Sequence, residues 1–138
     1  MGLAFTPADV NDLVAEEFPA AYAEGNRCVD LGEGTALARW SFDAGKLRPG
    51  AYISGPTLFS LADCSLWFAT FTVLGLEPMA VTSELSIRFL RPAQNGDVLA
   101  RATLNSVSAR RLVGTIEMWV DGTPDRLVAV AQGSYARP

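Results

Sequence analysis

Apolar positions crowd most densely between Ser54 and Gly75, and there they recur on every side of a helical wheel rather than along one stripe. The segment predicts one long helix over about 56–74. Pro56 suits a first helical position, where a missing N–H costs nothing, and Gly75 with Pro78 beyond it suits the exit. A helix apolar all round is buried all round. Asp63 is its only carboxylate, so this acid has either a buried partner or a chemical task.

Upstream, Thr6-Pro7-Ala8-Asp9 supplies a hydroxyl cap, a first-position proline and an acid in the first turn, which predicts a helix over 7–18 that stops before Pro19. Strands are expected at Cys28–Leu31 and Thr35–Phe42 around the turn Gly32-Glu33-Gly34, and a loop over Asp43–Ile53. Downstream the period drops to two. Val81–Leu90 alternates, with Val81, Leu85, Ile87 and Phe89 set against Thr82, Glu84, Ser86 and Arg88. Val98–Val107, Leu112–Val120 and Leu127–Tyr135 follow, parted by turn sequences such as Asn95-Gly96-Asp97 and Asp121-Gly122. Such patterning argues an antiparallel sheet of six strands with one face on the core. Only the central helix is large and apolar enough to cover that face, so the expected architecture is α+β: one domain over 1–138, its sheet curled around the helix. The helix stays apolar on the side away from its own sheet, which predicts a second copy covering it.

Composition narrows the chemistry. The 138 residues carry 19 % charged positions and a net charge of −4, so no basic surface suits nucleic acid. The length of the apolar run would fit a bilayer, but Asp63 sits mid-span and no basic flank accompanies it. No basic start followed by an apolar run and a cleavage site is read at the N-terminus, so the expectation is a cytoplasmic protein. Cys28 and Cys64 lack metal-site spacing and are expected to be reduced thiols, with Cys64 part of the core. The most restrictive number is zero histidines. It removes Ser-His-Asp and Cys-His nucleophilic schemes, and with two cysteines it leaves no ordinary zinc set. Carboxylates, hydroxyls, backbone dipoles and arginines remain.

Three stretches, Ser54-Gly55-Pro56 through Leu61-Ala62-Asp63, Val81 through Ala93, and Gly96-Asp97, resemble the hotdog-fold thioesterases of the phenylacetate-degradation (PaaI-like) branch. The resemblance implies a six-stranded antiparallel sheet wrapped around a long helix, acyl-CoA thioester hydrolysis, and a homodimer or homotetramer. It implies no cofactor other than the coenzyme A of the substrate. By the same resemblance Gly55 offers its backbone N–H to the thioester carbonyl. Asp63, eight residues on, acts as nucleophile or base, and Thr82 places the water. Ser54 and Arg48 stand where the family commonly has His and Asn; with Arg88 and Arg91 they are the expected substrate-binding residues, arginine being suited to coenzyme A phosphates.

Pro56 has no N–H, so Gly55 must be the first donor of the helix. Thr82 and Ser83 alternate in facing, so only one of them can point at the helix. Eight residues of helical rise separate Gly55 from Asp63 by roughly 12 Å, too far for both to touch one carbonyl. If both act, they come from different subunits. Another reading is a non-catalytic hotdog protein that binds acyl-CoA or acyl groups, which the absent His and Asn would suit. A structural dimerisation module gives Asp63 no task, and hydratase chemistry on this fold calls for a histidine.

Overall fold

The computed structural model describes residues 2–138. In chain order the elements are α1 (Pro7–Glu17), α2 (Pro19–Ala23), β1 (Asn26–Gly32), β2 (Thr35–Trp40), a 3-10 turn (Ala44–Lys46), β3 (Leu47–Arg48), β4 (Tyr52–Ile53), α3 (Gly55–Leu74), β5 (Val81–Phe89), β6 (Val98–Val107), β7 (Arg111–Val120) and β8 (Leu127–Ala136). Six strands form one antiparallel sheet in the order β1-β2-β6-β7-β8-β5, and α3 packs across its concave face. This is the hotdog fold.

α1 starts as its sequence predicts. Thr6 Oγ1 accepts from the Asp9 N–H at 3.3 Å while Asp9 Oδ2 accepts from the Thr6 N–H at 2.8 Å, a reciprocal cap that satisfies two orphan donors. The helix ends one residue earlier than expected, at Glu17, and Phe18 caps it. Pro19 then begins a second short helix, which the hydrophobic pattern did not predict; a proline that stops one helix is preorganised to open another. The segment expected to be plain loop also has structure. The 3-10 turn is followed by the two-residue hairpin β3–β4, which turns through Gly50 and Ala51, both at positive φ.

α3 is apolar because the sheet surrounds it. Leu61, Leu66, Phe68 and Phe71 are completely buried, and each such side chain contributes on the order of 2 kcal/mol through burial. The sheet meets the helix with small residues: Ala36, Ala38, Ala100 and Ala102 are all buried beneath it. At Gly114 the approach leaves no room at all, since a Cβ there would lie 2.7 Å from Leu66 Cδ1 and 2.7 Å from the Thr103 carbonyl oxygen. Two buried hydroxyls on α3 satisfy themselves on their own helix, Ser65 on the Ala62 carbonyl (2.7 Å) and Thr70 on the Trp67 carbonyl (2.6 Å).

β5 departs from its simple alternation. Thr82 lies opposite Tyr135 and Glu84 opposite Ser134, so Ser83 is an extra residue in a bulge. The bulge resets the phase. Thr82 therefore points toward α3 together with Leu85 and Ile87, not away from them as strict alternation has it. Val81, expected on the core face, is 59 % exposed.

Candidate active site

Ser54 follows β4 and caps α3. Its Oγ accepts from the Thr57 N–H at 3.3 Å and its carbonyl accepts from the Leu58 N–H at 3.1 Å. Pro56 has no N–H to offer. The Gly55 N–H is thus the first-turn donor left without a partner among the described residues, at the positive end of a helix dipole. Phe89, the last residue of β5, lies directly over it: a Cβ on Gly55 would come within 3.3 Å of the Phe89 ring. Glycine is what lets ring and helix start meet there. Around this point runs an open groove of about 680 Å³, whose walls include Arg48, Tyr52, Phe89 and Arg91.

Asp63 lies two turns further along, partly exposed, on the side of α3 that faces the start of β5. Thr82 Oγ1 donates to Asp63 Oδ1 at 2.8 Å, and the Tyr135 hydroxyl donates to the same oxygen at 2.6 Å. No basic side chain pairs with Asp63 among the described residues; its partners are hydroxyls. Burial first, and then the neighbouring carboxylate, hold the Tyr135 phenol above its usual range, so it remains a donor at any working pH. Next along the helix, burial pushes the Cys64 thiol up to about 12, which leaves it uncharged and unreactive beside the acid.

The residues singled out from the sequence therefore fall into four places. Asp63 and Thr82 meet at one end of β5. Gly55, Arg48 and Arg91 share the groove at the other end. Ser54 is occupied as a helix cap. Arg88 lies on the outer face of the sheet, in a shallow hollow of about 580 Å³ with Arg101 and Glu117. Tyr135 was missed by sequence reasoning. Its one signal was a tyrosine among buried positions of a closing strand, where a hydroxyl needs a partner.

A thioesterase superfamily profile matches residues 50–126, the stretch holding α3, every groove residue named above except Arg48, and the Asp63–Thr82 contact. The chain belongs to the thioesterase superfamily. The solved PaaI protein of the E. coli phenylacetic acid degradation operon is 26 % identical, superimposes with a TM-score of 0.81, and is matched over 96 % of this chain and 93 % of its own. A variant of the phenylacetic acid degradation protein PaaI from Thermus thermophilus is 28 % identical with a TM-score of 0.75, over 87 % of this chain and 99 % of that one. A conserved protein of Pseudomonas aeruginosa is 30 % identical with a TM-score of 0.79, covering 86 % of this chain and 93 % of its own. No curated protein sequence matches. This is a PaaI-like hotdog thioesterase, and thioester hydrolysis is its chemistry at the level of the superfamily.

Proposed function

We propose that this PaaI-like protein hydrolyses acyl-CoA thioesters at a site that two copies of the chain build together, as a homodimer or homotetramer working in the cytoplasm without a bound cofactor. The observation that carries the reading is the placement of the two groups at opposite ends of β5. Gly55 sits under Phe89 at its last residue, and Asp63 bonds Thr82 near its first. β5 is also an edge strand, hydrogen-bonded to β8 on one side and open on the other. Antiparallel pairing of two β5 strands about a two-fold axis near Leu85–Ser86 sets the Thr82 end of one against the Phe89 end of its partner. That pairing delivers Asp63 of one copy to the Gly55 N–H of the other, which a single chain cannot do across roughly 12 Å.

In this arrangement the thioester carbonyl oxygen points at the Gly55 N–H, where negative charge developing in the tetrahedral intermediate meets a preformed dipole. Asp63 of the other copy either attacks the carbonyl carbon, giving an anhydride that water then hydrolyses to free the acid and restore the carboxylate, or takes a proton from a water that itself attacks. The thiolate of coenzyme A leaves, and Arg48 and Arg91 on the groove walls meet its phosphates. Thr82 donates to Asp63 and keeps its lone pairs to accept from the attacking water.

Thiol release from a panel of acyl-CoA thioesters tests the reading, with Asp63→Asn as the control that must lose it. A second reading, an acyl-CoA binder without turnover, draws on Ser54 and Arg48 standing at the family's His and Asn positions, with Ser54 committed to capping α3. Tight binding of every thioester in the panel with no thiol released would select it.

A further inference from the structure

Asp63 Oδ1 accepts two hydrogen bonds, from Tyr135 at 2.6 Å and from Thr82 at 2.8 Å, while Oδ2 accepts none among the described residues. We infer that Tyr135 is a positioning residue for Asp63: together with Thr82 it ties down Oδ1 and leaves Oδ2 as the oxygen that reacts. The inference rests on the hydrolase reading above.

The Tyr135 ring is 4 % exposed and held in the core, so its hydroxyl has a fixed place from which to reach α3. That hydroxyl also lies 3.1 Å from the Asp63 main-chain carbonyl oxygen, so one phenol touches both the backbone and the carboxylate of the same residue. The bulge at Ser83 supplies the second donor. Thr82 sits opposite Tyr135 in the β5–β8 pair, and the extra residue turns its hydroxyl toward the same oxygen. An aspartate carboxylate otherwise turns broadly about its last torsion. Two charge-assisted bonds on one oxygen remove that freedom and leave the other oxygen's lone pairs free. Orientation of this kind raises the rate without strengthening substrate binding.

Tyr135→Phe keeps the ring and deletes the donor. It should lower kcat about tenfold, the effect of one hydrogen bond to a charged group, and leave KM within about twofold. Thr82→Val should lose at least that factor, since it also removes the acceptor for the attacking water, and Thr82→Ser should keep the rate. The Tyr135→Phe, Thr82→Val double variant should lose less than the product of the two, since both act through one oxygen. A wild-type kcat in Tyr135→Phe, or a higher KM at unchanged kcat, overturns the inference. A second readout needs no turnover. In isotope-edited infrared spectra, with the Asp63 bands isolated by subtracting Asp63→Asn, donors crowded on one oxygen widen the gap between the two carboxylate stretches, and Tyr135→Phe should narrow it. An unchanged gap overturns the positioning role. A narrowed gap in a protein that releases no thiol from any thioester upholds that role and refutes the hydrolase reading instead.

Discussion

The two edges of the sheet are finished in opposite ways. At β1 the outer edge is closed: α1 lies over it, and Asn11 accepts from the Cys28 N–H at 2.8 Å and donates to the Cys28 carbonyl at 2.9 Å. Those are the backbone groups an edge strand would otherwise offer to another chain. β5 has no such cover. It runs nine residues with its outer side open, flanked by apolar Val81, Phe89 and Leu90 at 59, 50 and 46 % exposure. One edge is finished within the chain; the other is left fit for a second copy, with Asp63 and Gly55 beside its two ends. On the function proposed above, the β1 side serves stability and the β5 side serves chemistry.

Substitutions at the two edges should therefore separate rate from stability. The largest effect is expected for Asp63→Asn, which keeps the shape and the contacts to Thr82 and Tyr135 but removes the charge. Turnover should fall by about a hundredfold or more, while the melting temperature holds or rises because a partly desolvated carboxylate is gone. An early-melting variant with normal turnover would remove Asp63 from the chemistry. Next, Val81→Lys places a charge on the open edge. Sedimentation should show dissociation at micromolar concentration, and turnover should drop roughly tenfold and recover as the protein is concentrated. On the closed edge, Asn11→Ala strips two partly buried hydrogen bonds. It should cost about 1–3 kcal/mol in denaturant unfolding and leave kcat and oligomeric state unchanged.

The smallest effect sits where β2, β6 and β7 are tied together. Asp97 accepts from the Phe42 N–H at 2.8 Å and from Arg39 at 2.7 Å, and Arg39 also reaches Asp121 at 3.0 Å. The Phe42 N–H first, and then Arg39, hold the Asp97 carboxyl below its usual range. A carboxyl with a lowered folded-state pKa adds stability above its unfolded value, near 4, and that stability is lost as pH falls through the folded one. The pair is a third exposed, so the contribution is small. Asp97→Asn should lower the melting temperature by a few degrees at pH 7, and the gap to wild type should close in titrations below about pH 4.

What the sequence made legible follows from how local each signal is. α3 was bounded within a residue because Pro56 and Gly75 mark its ends, and β6 was placed residue for residue because its turns are local. α2 was lost because Pro19 reads as a stop and only the neighbouring fold shows it as a start. The bulge at Ser83 belongs to the pairing of β5 with β8, some fifty residues away in the chain, and no period along β5 contains it. Tyr135 and Asp63 lie 72 positions apart. Thr82 could be singled out by resemblance, but its direction was fixed only once the second strand was in place.

The account depends most on Asp63 and Gly55 acting from different copies. Mixing two inactive proteins tests this directly: Asp63→Asn lacks the charge, and Gly55→Pro lacks the N–H at a position where proline suits the helix backbone, although its ring displaces Phe89 by a few tenths of an ångström. After unfolding and refolding together, half of randomly formed pairs are mixed, and each mixed pair has one site built from the intact Gly55 of one chain and the intact Asp63 of the other. The account predicts return of about a quarter of wild-type turnover. A mixture as inactive as either protein alone, with mixed dimers shown to be present, would place both groups in a site of one chain and contradict it.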